Sequence, residues 1–109
     1  MSIKSWWEQD AETQAKVVQD LIHSECKQVA EMLIQKNTDY GSSVFCPTGI
    51  FAKGGWEQAI HVRIDDKLAR VRNHPGHRHR GSEDTILDLI GYLILLRVGK
   101  KLNNPTEPT

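Results

Sequence analysis

The fifteen residues TILDLIGYLILLRVG, Thr85 to Gly99, constrain this chain more than any other stretch. Nearly every position is apolar, so a helix built from them needs cover over most of its circumference. The run is too short, and too interrupted by Asp88, to span a bilayer. A central, buried helix is the reading that remains. It is predicted to run from Ser82, a good N-cap, to about Leu102, with Glu83 and Asp84 at its positive end.

Two more helices follow from apolar spacing. Val18, Ile22, Val29 and Leu33 recur with i, i+4 and i+7 logic, predicting a helix over Ala11 to Gln35. Ile60, Ile64, Leu68 and Val71 predict another from Trp56 to Asn73. Upstream, Ser5 and Glu8 in SWWE have capping-box spacing. Between the first two helices, Tyr40 to Gly55 holds glycines at three sites together with Pro47 and reads as a long loop. No alternating stretch demands a strand. The predicted fold is all-α, a small bundle of three to four helices in one domain over residues 1–102, with a frayed polar tail over 103–109. Small size and an all-round apolar last helix also predict a homo-oligomer, a dimer or higher.

Charge narrows the partners. Fourteen basic and fourteen acidic residues cancel. No global field draws the chain to DNA or to an anionic membrane, so neither specific DNA binding nor membrane association is expected. The N-terminus carries no signal-peptide pattern, and the two cysteines, Cys26 and Cys46, fall in a helix and a loop. A reducing cytoplasm is the expected location.

Several polar residues stand out against this framework. Asp84 and Asp88 are four apart on one helix face, and Asp88 sits among Leu87, Leu89 and Ile90. A carboxylate there needs a metal, a basic side chain or backbone donors. Paired hard oxygens suit Mg²⁺. Glu25 interrupts the apolar stripe of the first helix and is a candidate to face the two aspartates. Arg63, Lys67 and Arg70 form a basic stripe opposite the apolar face of the second helix. It is either a solvated face, with Asp66 as an ion-pair partner, or a seat for phosphates. His74, His77 and His79 lie in an irregular basic segment without the spacing of a zinc site. Finally, KNTDYGSS, Lys36 to Ser43, is richer than a helix stop requires. Gly41 can end the helix and Asn37 and Asp39 suit a turn. Lys36, Tyr40 and the hydroxyl of Ser42 add a cation, an aromatic face and a donor, which are tools for holding a phosphate and stacking a base.

In combination, KNTDYG, a glycine-bearing loop with Phe51, RIDDKLARV and SEDTILDLIGYLIL resemble the nucleotide modification associated domain 1 family, small helical proteins of phages and bacteria. The resemblance covers residues 24–97. It implies a role in nucleotide metabolism tied to modified phage DNA, in the host cytoplasm. A looser resemblance is to MazG-like nucleoside triphosphate pyrophosphohydrolases, which hold Mg²⁺ with an E–x–x–E and an E–x–x–D element. Here Glu83, Asp84 and Asp88 approximate the second element. The first is broken, because Gln28 follows Glu25, and Asp39 or Asp66 is left to supply the missing carboxylate.

Two functions follow. As an enzyme, the chain would split a nucleoside triphosphate between the α and β phosphates. Glu25, Asp84 and Asp88 would hold Mg²⁺, and Lys36, Asp39, Lys67 and Arg70 would serve the reaction. Tyr40 or Trp56 would stack on the base, and Gly54 and Gly55 would let the loop close. As a binding protein, it would use Lys36, Asn37, Tyr40, Ser42, Trp56, Arg63, Lys67 and Arg70 to sequester a linear or cyclic nucleotide. The carboxylates would then pair with Arg63, Lys67 or Arg70 instead of metal.

Overall fold

Asp10 starts the first long helix. Its Oδ1 accepts the Thr13 N–H at 2.7 Å, and its carbonyl accepts the Gln14 N–H at 2.9 Å, the first rung of the ladder. The hydrogen bonds from Thr13 hold the Asp10 carboxyl below its ordinary value. This is a computed structural model, and it describes residues 5–73 and 84–103. Ahead of Asp10, Trp6–Glu8 make one 3-10 turn, in which a Glu8 carboxylate oxygen accepts the Ser5 N–H at 3.3 Å. The capping-box spacing is therefore used, but on a single turn. The Gln14 side chain ties that turn to the helix by donating to the Trp6 carbonyl at 3.1 Å.

Helix α1 is Ala11–Tyr40, five residues longer than its apolar pattern predicts. Nothing from Lys36 to Tyr40 breaks a helix, and termination waits for Gly41, whose φ of 67° lies where a side chain is strained. Ion pairs at i, i+4 brace the exposed surface, Lys16 with Asp20 at 2.8 Å and Lys27 with Glu31 at 4.0 Å. After Gly41, Ser43–Phe45 form a second 3-10 turn.

The chain falls into two compact units, residues 1–35 and 36–109, and α1 contributes to both. In the first unit Val29 is buried and Leu33 half-buried, whereas Val18 and Ile22 of the same predicted stripe are exposed. Glu25 is exposed as well, so it does not point into a core. Ile22, before it on the stripe, is open as well, and only from Val29 onward is the stripe covered.

The second unit is built on α2, Gly55–Asn73, packed against α3, Thr85–Asn103. Ile60 of α2 is fully buried, an anchor of about 1.5–3 kcal/mol. Helix α3 buries Thr85, Gly91 and Gly99. Trp56 lies against Gly99 so closely that a Cβ built at 99 would meet the six-membered ring, with Cη2 at 2.6 Å and Cε3 at 2.8 Å. The Trp56 ring also meets Phe45 edge-on, with centroids 6.1 Å apart.

Asp84 caps α3, accepting the Leu87 N–H at 2.9 Å. Ser82, the cap expected from sequence, lies outside the described residues, as do His74, His77 and His79 and the tail beyond Asn103. At the other end Asn103 donates to the Gly99 carbonyl at 2.7 Å, and Lys100 and Lys101 complement the negative pole. The expectation that α3 is enclosed is corrected. Its close-packed side carries small residues, and Ile86, Ile90 and Leu93 are exposed. Among the described residues there is no strand, and no helix is long and apolar enough to cross a membrane.

Candidate functional site

The KNTDYGSS segment forms the last turn of α1 and the residues that leave it. Asn37 works as a staple. Its Nδ2 donates to the Gly41 carbonyl at 3.1 Å and to Ser42 Oγ at 3.3 Å, fixing the chain as it departs. Asn37 and Ser42 are thus engaged with each other. Lys36 and Tyr40 are one turn apart on the same side of the helix and are both exposed, Tyr40 at 73%. A cation and an open aromatic face stand side by side there. Asp39 is exposed near them.

The carboxylate that most needed explanation has a basic partner. Lys67 Nζ lies 3.2 Å from Asp88 Oδ2, joining α2 to α3, with the side chains only 13% and 20% exposed. Lys67 therefore does not stand opposite the apolar face of α2, as its stripe suggested. It lies seven residues, about two turns, beyond Ile60 and so shares the packed side of the helix. Arg63 and Arg70 remain exposed.

The three carboxylates expected to hold Mg²⁺ have three different settings. Glu25 belongs to the first unit and is exposed. Asp84 spends an oxygen on its helix cap. Asp88 faces Lys67. Among the described residues, no three His, Cys, Asp or Glu side chains gather as a metal would require. The residues present do not fit the expected ion, and an ammonium group occupies the side of Asp88 where a cation would bind.

Trp56 is similarly committed, since Gly99 and Phe45 use its ring. It is half-buried, and of the two aromatics expected to stack on a base, Tyr40 is the open one. On the surface, Glu57 lies 3.8 Å from His61 and 3.7 Å from Lys100. Cys26 and Cys46 are free and exposed.

Two features escaped the sequence reading. Thr85 is 1% exposed, and its Oγ1 has no hydrogen-bond partner among the described residues. Its place three residues before Asp88, on the inward side of α3, was the available signal. The Trp56–Gly99 contact left no local trace, because a glycine in a helix does not announce what lies over it. No family model matches this chain, and no curated protein or solved structure matches it either.

Proposed function

We propose that this chain binds a nucleotide without hydrolysing it, acting by capture. The observation that carries this reading is the Lys67–Asp88 pair. It supplies the partner that a half-buried carboxylate needs, so no metal is required to account for Asp88. The hydrolase reading loses its principal ligand by the same observation. Lys36 and Tyr40 provide the binding chemistry: the phenol ring stacks on a base and the ammonium group neutralises phosphate. The end of α1 carries the helix's negative pole, so the side-chain cation Lys36 must hold the phosphate. The resemblance of the KNTDYG, RIDDKLARV and SEDTILDLIGYLIL segments to a phage and bacterial nucleotide-metabolism family supports a nucleotide as the ligand, linear or cyclic.

The test is incubation of the purified protein with nucleoside triphosphates, deoxynucleoside triphosphates and cyclic nucleotides, with and without Mg²⁺. Products are separated and weighed by mass spectrometry. An unchanged nucleotide co-eluting with the protein is the expected result. Metal-dependent monophosphate and pyrophosphate would overturn it. In calorimetry, Tyr40→Ala is expected to weaken binding by about 1–3 kcal/mol, and an unaltered affinity would remove Tyr40 from the site.

A further inference from the structure

Cys46 to Gly54 join the Ser43–Phe45 turn to α2 without regular structure, and both ends of the stretch are held. Phe45, just before it, meets the ring of Trp56, just after it, and Trp56 is seated on Gly99. The stretch is thus a loop with a closed base, a form that often carries function. Its tip is different. Phe51 is 97% exposed, more than any other large apolar side chain among the described residues, and Ile50 beside it is 68% exposed. Gly49 and Gly55 flank this tip with φ of 69° and 82°, backbone states that a side chain resists. A phenyl ring left in water forgoes its burial energy, so the tip asks for a cover. Ile50 and Phe51 together offer on the order of 300 Å². Even doubled for a partner's share, that falls short of the roughly 1,000 Å² of a specific protein interface. A ligand the size of one base suits it better.

A place for such a ligand is within reach. Phe51 is five residues from Trp56, so its Cα stays within about 17 Å of that anchor. Tyr40 is five residues before Phe45, and the 3-10 turn shortens that path, so Tyr40 lies within about 14 Å of the other anchor. The two reaches overlap, and Lys36, Tyr40 and Phe51 belong to one compact unit. We infer that Phe51 is the second stacking residue of the nucleotide site, with the Gly49–Gly55 segment folding over the base that Tyr40 receives. The inference rests on the reading of Lys36 and Tyr40 as the nucleotide-binding pair. A base on Tyr40 alone keeps one face in water. Phe51 covers that face and is itself covered in the same step, so the ring that stands open in the free chain is buried only with the ligand. A phenyl ring offers no hydrogen bond and every base has a π-face, so this clamp tolerates any base.

The test is calorimetry of the full chain with ATP, CTP and cyclic AMP. Phe51→Ala should weaken every nucleotide that binds by about 5- to 150-fold, the loss expected for one stacked aromatic. Phe51→Trp should restore the affinity and Phe51→Leu should not. Because the ring stands in water in the free chain, all three variants should melt at the wild-type temperature without nucleotide. A direct readout comes from para-fluorophenylalanine, since the chain has two phenylalanines and gives two fluorine resonances. The Phe51 resonance should show a full solvent isotope shift in the free chain and lose it at saturation with the tightest nucleotide of the three, while that of Phe45 stays where it is. Wild-type binding that Phe51→Ala leaves unaltered, or a Phe51 resonance still solvated at saturation, overturns this inference and leaves the Lys36–Tyr40 reading standing. Binding indifferent to Tyr40→Ala, or no binding of any of the three, overturns both.

Discussion

Breaking the Lys67–Asp88 pair from either side should cost more than removing both partners together. At 3.2 Å, two unit charges in a medium of effective dielectric about 20 attract by about 5 kcal/mol. Desolvation offsets much of that attraction. Removing one partner of a fully buried pair costs about 3–5 kcal/mol, and the residual exposure of 13% and 20% lowers the expectation here to about 2–3 kcal/mol. Asp88→Leu and Lys67→Met should each lose that much in urea denaturation. The double variant Lys67→Met/Asp88→Leu should recover to within about 1 kcal/mol of wild type, because two apolar groups of similar size leave no stranded charge. The coupling energy of the cycle should therefore be about 3 kcal/mol or more. Coupling below about 0.5 kcal/mol would refute a real ion pair. So would Mg²⁺-dependent stabilisation of the wild type that Asp88→Asn abolishes, since the aspartate would then be serving a metal.

Three further outcomes are expected. Gly99→Ala gains about 1 kcal/mol of helix propensity but overpacks Trp56 at a cost of about 1–3 kcal/mol, so the melting temperature should fall or hold; a rise would show that the indole does not press on Gly99. Thr85→Val swaps a buried hydroxyl without a described partner for a methyl group and should be neutral or stabilising by up to about 1–2 kcal/mol, whereas a clear loss in thermal unfolding would mean that the hydroxyl is satisfied in solution. Because Asp10 is lowered in the folded chain, its contribution is present above the ordinary aspartate value of about 3.9 and is lost as pH falls through the folded value. A carbon-detected NMR titration should place the Asp10 carboxyl midpoint below that ordinary value, and a midpoint at or above it would remove the cap.

The helices were legible because their punctuation is local. Asn73 and Trp56 bracket α2 within one residue of the structure, and Gly41 marks the end of α1 better than the apolar stripe does, since the stripe runs out at Leu33 while helical backbone continues. What the periodicity did not convey was how much of each stripe is covered. Val18, Ile22, Ile86 and Ile90 have core chemistry and open surfaces, and only tertiary packing distinguishes them from Val29 and Ile60. The oddity of Asp88 was visible from its neighbours, and Lys67 was among the partners its surroundings allowed. The choice between ammonium and metal was not visible, because it rests on the azimuth at which α2 meets α3. The same azimuth put Trp56 over a glycine, where its sequence position beside Gly54 and Gly55 had suggested a loop aromatic awaiting a ligand.

The indole seated on Gly99 also binds the history of two positions together. A descendant that acquires any side chain at 99 keeps this helix crossing only if position 56 has already shrunk, and a smaller residue at 56 opens a gap that a bare backbone at 99 cannot fill. Neither change is easily made first. Across diverged relatives of this chain, tryptophan at 56 should travel with glycine at 99, and their substitutions should arrive as a pair.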